Sequence, residues 1–112
     1  MASDIRLIVF PVKDLDKAKE FYTAFLGIEP YADGPYYVGY KLDDREVGLD
    51  PNGKAVVSYI DVEDIEANLN VLKGAGAEVI MGSTDVGGGL LIAQVADADG
   101  NVVGLRQRPK VA

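Results

Sequence analysis

Apolar residues occur along this chain in two kinds of run, and the same order of runs appears twice. Residues 5–10 (Ile-Arg-Leu-Ile-Val-Phe) are β-branched and apolar, the composition of a strand. After Asp14 the spacing changes. Leu15, Ala18, Tyr22 and Phe25 recur every three or four residues, the period of one helix face, which Asp14 can cap and Gly27 can stop. Three strands are predicted beyond it, at 28–32, 36–42 and 46–50, the last two joined by Asp43-Asp44. The pattern then restarts. Residues 55–60 match the first strand, and Asp64 caps a helix carrying Ile65, Leu69 and Leu72, with Gly74 and Gly76 as its stop. Strands at 77–82, 90–95 and 102–107 follow, and Asp99-Gly100 between the last two is a strong hairpin signal.

Short motifs repeat in register with this pattern. Val12-Lys13-Asp14-Leu15 returns as Val62-Glu63-Asp64-Ile65, fifty residues later. Val47-Gly48-Leu49 returns as Val103-Gly104-Leu105, fifty-six residues later. The second copy therefore holds about six extra residues between these anchors, placed in a loop around 84–89. The reading is an α+β fold of two consecutive βαβββ units, about 4–52 and about 54–108, within a single domain spanning 1–112. An alternating strand–helix fold is disfavoured because several strand runs follow each helix.

Composition narrows the chemistry. A chain of 112 residues suits one domain with a core of its own. There is no cysteine, which removes disulfide and thiolate chemistry and is compatible with a reducing cytoplasm. There is no histidine either, so the usual neutral-pH base and commonest metal ligand are both missing. The net charge of −7 repels phosphate backbones and anionic lipid, so neither nucleic acid nor membrane is an expected partner, whereas a cationic ligand is favoured at long range. Met1-Ala2-Ser3-Asp4 lacks the basic start and apolar stretch of a leader, and no apolar run approaches the ~18 residues of a span. A cytoplasmic location is expected.

The stretch from Val12 to Tyr22 (VKDLDKAKEFY), continued by Phe25-Leu26-Gly27, resembles the opening motif of the vicinal oxygen chelate superfamily, which includes glyoxalase I and the bleomycin-resistance proteins. Asp97-Ala98-Asp99-Gly100-Asn101 before the last strand is similar to its closing motif, so the resemblance covers essentially the whole chain. It implies two curved half-sheets around a cup, with helices packed outside. In metal-dependent members, four side chains lining the cup hold the ion, one from the first and one from the last strand of each unit. Those positions fall here on Leu7, Gly48, Val57 and Gly104. None offers a lone pair, and a divalent ion needs nitrogen, oxygen or sulfur donors. The expectation is a metal-free member with no cofactor. The resemblance also implies a homodimer, since short members build their cups across a subunit interface.

Strand residues alternate faces, so the same positions fix which parity looks into the implied cup. That parity holds Ile5, Leu7, Val9, Glu46, Gly48, Asp50, Val57, Tyr59, Asp61, Val102, Gly104 and Arg106. The other parity is nearly all apolar, with Ile8, Phe10, Val47, Leu49, Val56, Ile60, Val103 and Leu105, and is expected under the helices. The cup would then be a mixed surface with open space above its two glycines. Tyr59 is expected to stack a planar ligand. Asp50 and Arg106 stand at equivalent places, and three readings are open: an ion pair across the cup, two ends of a grip on a polar ligand, or a structural pair. Of Tyr36, Tyr37 and Tyr40, only Tyr36 and Tyr40 or Tyr37 can face inward; the former two are favoured, with subunit contact as their alternative. Gln94 is a candidate polar contact.

Three features look chemical and have simpler readings. Asp97-x-Asp99-Gly100 lacks the other ligands of a calcium loop and reads as a turn. Gly87-Gly88-Gly89 precedes a strand instead of a phosphate-binding helix, so residues 83–89 read as a flexible loop and a candidate lid. Glu46 and Asp50 would make an acid–base pair if burial shifted one of them. The leading functional reading is metal-independent binding or sequestration of a small organic molecule, aromatic or cationic, contacted by Glu46, Asp50, Tyr59, Arg106, Tyr36, Tyr40 and Gln94. The alternatives are a metal-free isomerase or lyase using a cup carboxylate as base, or a non-catalytic interaction module.

Overall fold

A computed structural model describes residues 4–109; residues 1–3, part of the stretch read for a leader, lie outside them. The chain is α+β. Its elements run β1 (Ile5–Pro11), α1 (Leu15–Leu26), β2 (Ala32–Asp33), β3 (Val38–Leu42) and β4 (Arg45–Asp50). They continue as β5 (Val57–Asp61), α2 (Ile65–Gly74), β6 (Glu78–Asp85), β7 (Leu91–Ala96) and β8 (Val102–Gln107). Two compact units result, one of them Arg6–Val57 and the other built mainly from the chain after Val57. Each repeats the order βαβββ. In the first, the strand order is β2-β3-β4-β1, with β1 and β4 parallel and the other pairs antiparallel. In the second it is β5-β8-β7-β6, with β5 and β8 parallel and the rest antiparallel. Among the described residues no helix is long and apolar enough to cross a membrane.

The predicted caps form. The Asp14 carboxylate accepts from the Lys17 N–H at 3.1 Å, and Asp64 accepts from the Ala67 N–H at 3.0 Å. Each bond satisfies one of the donors that a helix leaves unpaired at its start. Gly27 ends α1 in the left-handed conformation at φ 72°. After α2, Gly76 at φ 97° reverses the chain while the Ala77 N–H donates to the Leu72 carbonyl at 3.0 Å. Glycine, without a Cβ, takes such dihedrals at little steric cost.

Each helix covers one face of its own half-sheet. Under α2, Ile65 and Leu69 pack on Ala93, Val95 and Leu105, all buried. Under α1, Leu15, Ala18, Tyr22 and Leu26 pack on the buried Val38, Tyr40 and Leu49. A fully buried Leu or Ile stabilises by about 1.5–3 kcal/mol, so these two clusters account for much of the stability of each unit. The apolar parity thus lies where alternation predicts for Phe10, Val47, Leu49, Ile60 and Leu105. Val56 and Val103 correct the prediction: they are 49% and 43% exposed, because Val56 precedes β5 and the ten residues of α2 leave Val103 uncovered.

Three other elements differ from the sequence reading. The strand expected at 28–32 shrinks to Ala32–Asp33; Pro30 has no N–H to give to a ladder. Tyr36 falls outside β3, in a turn closed by the Gly34 N–H donating to the Tyr37 carbonyl at 3.0 Å. The loop expected at 83–89 is a hairpin end: β6 continues to Asp85, and the Val86 N–H donates to the Leu90 carbonyl at 2.9 Å. Two register shifts between Val79 and Thr84 absorb extra residues within the strand. Asp97 does form a turn. Its carboxylate accepts from the Asp99 and Asn101 N–H groups and from the Asn101 amide at 2.8–3.0 Å. These donors, the Asn101 side chain first, hold its pKa below the ordinary aspartate value.

Tyr40 is fully buried, and its hydroxyl ties β3 to α1 by donating to the Lys19 carbonyl at 3.1 Å, with the Thr23 hydroxyl 2.8 Å away. Tyr40→Phe leaves both helix groups without this partner, and the expected loss is about 1–2 kcal/mol in urea denaturation with an unchanged m-value.

Candidate functional site

A half-sheet with one helix has one face left over, and the sequence-predicted site residues are distributed between its two faces by strand register. In the first unit the two-residue turn at Asp43-Asp44 sets Lys41 opposite Glu46 and Tyr40 opposite Val47. The helix-free face therefore carries the rows Lys41–Glu46–Leu7 and Gly39–Gly48–Val9, with Asp50 beside Pro11. In the second unit Gln94–Gly104–Tyr59 matches the Gly39–Gly48–Val9 row, and Ile92–Arg106–Asp61 matches the row of Asp50 and Pro11.

Tyr40 does not belong to this face. It shares the side of Val47 and Leu49 and lies under α1, which corrects the expectation that it faces the implied cup. Tyr36 sits in the turn before β3, 74% exposed. The tyrosine that reaches the helix-free face is Tyr37. A Cβ placed on Gly48 would collide with its hydroxyl and would stand 2.7 Å from Cζ, and one on Gly39 would stand 3.1 Å from Cε2. Tyr31 lies alongside, with Cε1 at 3.1 Å from the same Gly39 position. Its hydroxyl donates to Glu46 Oε1 at 2.6 Å, and the Lys41 ammonium stands 4.7 Å from its ring centroid. Tyr31, Tyr37, Lys41 and Glu46 thus form a polar-aromatic group over a floor of two glycines.

The second unit fills its floor differently. The ring of Tyr59 lies directly on Gly104, where an added Cβ would collide with Cδ1 and Cε1. Its hydroxyl accepts from Gln94 Nε2 at 2.8 Å, so Gln94 is on this face, and Tyr59 is only 4% exposed. The open space expected above Gly48 and Gly104 is therefore occupied by tyrosine in both units. The planar stacking surface expected of Tyr59 is turned onto Gly104.

Arg106 is 5% exposed and pairs with its cross-strand neighbour: Nε donates to Asp61 Oδ1 at 2.6 Å and Nη2 to Oδ2 at 3.3 Å. A planar guanidinium gripping both carboxylate oxygens is the strong form of such a pair. The Arg108 Nε stands 3.6 Å from the same carboxylate, at the edge of a cleft of about 450 Å³ that Asp61, Glu63 and Gln107 also line. Asp50 is bound into its own turn, accepting from the Asn52 N–H at 2.8 Å.

The four positions that the resemblance assigns to a metal do not fit one. Leu7 and Val57 are apolar and 7% exposed, and the places above Gly48 and Gly104 hold phenol rings. Among the described residues no three acidic side chains gather as a metal-holding group. No step through a metal at those positions follows from these residues.

The residues that the sequence reading passed over are Tyr31, Tyr37, Lys41 and Asp61 as the partner of Arg106. The signal for Tyr37 and Lys41 was present. A two-residue turn at 43–44 puts Tyr40 beside Val47 on the helix side, and hence Tyr37, Gly39 and Lys41 on the other. Tyr31 had no such signal, since it precedes a strand of only two residues.

Comparison with known proteins supplies the rest of the context. Residues 5–105 match the model of the Glyoxalase/Bleomycin resistance protein/Dioxygenase superfamily. No curated protein matches. Among solved structures, methylmalonyl-CoA epimerase from Streptomyces coelicolor, in complex with 2-nitronate-propionyl-CoA, superposes with a TM-score of 0.78 at 20% identity, covering 97% of this chain and 96% of that one. A superfamily member from Vibrio splendidus gives 0.69 at 21% identity, covering 90% and 95%. The Mn(II)-bound glyoxalase from Novosphingobium aromaticivorans gives 0.74 at 20% identity; 98% of this chain matches 42% of that longer one. At these identities the structural likeness establishes the fold.

Asp61→Asn keeps the shape of the Arg106 partner and removes its charge. The expected cost is about 1–3 kcal/mol in urea denaturation, because the guanidinium stays buried while its charged acceptor is lost.

Proposed function

Because the chain belongs to the Glyoxalase/Bleomycin resistance protein/Dioxygenase superfamily, we propose that it binds or sequesters a small organic molecule on the helix-free faces of its half-sheets, without a metal. One observation carries this reading: the positions where the resemblance would place metal ligands hold Leu7 and Val57, and two glycines overlain by tyrosine. The polar-aromatic group of Tyr31, Tyr37, Lys41 and Glu46 supports an organic ligand, since it combines ring faces with a carboxylate and an ammonium. Gln94, Tyr59 and the Arg106–Asp61 pair form the fixed polar part of the second unit's face. The net charge of −7 favours a ligand that is neutral or cationic. The lack of cysteine supports a cytoplasmic setting.

We also read the protein as a homodimer. Phe21 and Phe25 on α1 are 62% and 71% exposed and stacked on each other, and Ile80 and Val86 on the β6 hairpin are more than half exposed. Apolar surface of this kind is what a second copy would cover. Sedimentation equilibrium should return a mass twice the 11.9 kDa of one chain, and a monomer at micromolar concentration would remove this part of the reading.

A thermal-shift screen tests the binding reading. A small aromatic or cationic compound at 100 times its dissociation constant should stabilise the native state by about 2.7 kcal/mol, a rise of roughly 10 °C for a domain of this size. Stabilisation by Zn²⁺, Ni²⁺ or Mn²⁺ and by no organic compound would overturn it.

A further inference from the structure

The two units close the middle of their helix-free faces by unrelated means. In the second unit, Tyr59 is the cross-strand neighbour of Gly104 and lies on it. The matching neighbour of Gly48 in the first unit is Val9, which is too short to do the same. There the ring arrives from a different element, as Tyr37 from the turn before β3. The third member of each row differs as well. Gln94 in the second unit fixes the Tyr59 hydroxyl, whereas Gly39 in the first makes room for the ring of Tyr37 beside Tyr31. A glycine at the centre and a phenol on top is thus reached twice, with non-equivalent tyrosines, at the last-strand position that the resemblance assigns to one of the two ligating side chains of each unit.

We propose that Tyr37 and Tyr59 are specificity-determining residues that exclude a metal from this protein, by occupying the volume that a ligating side chain at Gly48 or Gly104 would need. This rests on the metal-independent reading above and goes further than it. On that reading the four positions lack donors; the tyrosines mean that restoring the donors is not enough. A side chain at Gly104 cannot leave its backbone without displacing a ring that is 4% exposed and held by Gln94. At Gly48 it meets the Tyr37 hydroxyl together with the ring atoms Cζ and Cε1 beside it.

The inference has two readouts. The first is a pair of double-mutant cycles on stability, measured by thermal melting. Gly104→Ala should lower the melting temperature, yet Tyr59→Ala/Gly104→Ala should melt no lower than Tyr59→Ala alone, and the same should hold for Gly48→Ala with Tyr37→Ala. Additive losses in both cycles would overturn the steric claim. The second is Ni²⁺ binding by equilibrium dialysis to a chain with Leu7→His, Gly48→Glu, Val57→His and Gly104→Glu. Made with Tyr37→Ala and Tyr59→Ala it should bind Ni²⁺, and made with both tyrosines intact it should bind none. Binding in both forms, or in neither, would show that the rings are not what excludes the ion. If the four-donor chain with both tyrosines fails to fold, the stability cycles, which carry only alanine changes, still decide the proposal. Ni²⁺ binding by the unaltered chain would sink the metal-independent reading instead, so the two failures are distinguishable.

Discussion

Each half-sheet in this protein has two faces and a single helix to cover them, and most of the structure follows from that shortage. Alternation along a strand sends neighbouring side chains to opposite faces, so burying one face under a helix commits the other to some different use. Leu105, Val95 and Ala93 go under α2, and Leu49, Val38 and Tyr40 go under α1. The remaining face cannot also be plainly apolar without another element to bury it. It carries instead a mixture of rings, glycines and paired charges.

That mixture is ordered more tightly than its composition implies. The glycines at positions 39, 48 and 104 are floors on which tyrosine rings rest, and the polar groups satisfy one another: Gln94 with Tyr59, Tyr31 with Glu46, Arg106 with Asp61. A buried guanidinium is costly unless both its charge and its donors are met, which explains why its carboxylate lies on the adjacent strand, directly in register. Side chains held by one another in this way have little conformational freedom left to lose.

The fold hosts unrelated chemistries among proteins of similar structure, so function resides in the residues that a given chain places on this face. At the positions where the resemblance would place ligands, Leu7 and Val57 are apolar and buried, and tyrosine rings fill the space above Gly48 and Gly104. A core that merely lost a ligand set would be left with cavities, and cavities destabilise in proportion to their size.

The sequence by itself determined the repeat, both helices with their caps, the order of strands and the location of the main apolar clusters. These depend on local chemistry: an aspartate at a helix start, a glycine at φ 72° after its end, apolar residues at the helical or the strand period. It also put Leu7, Gly48, Val57 and Gly104, none with a donor atom in its side chain, at the positions where the resemblance places metal ligands. What only the tertiary structure decided is where the long side chains end. Strand parity names the face that a residue leaves from, but a tyrosine is long enough to lie across whichever neighbour leaves room. So Tyr37 covers Gly48 from outside the strand, the Tyr40 hydroxyl finds the Lys19 carbonyl, and Arg106 takes Asp61 as its partner, because the space around each side chain's far end settles those contacts and it is not written in the local pattern.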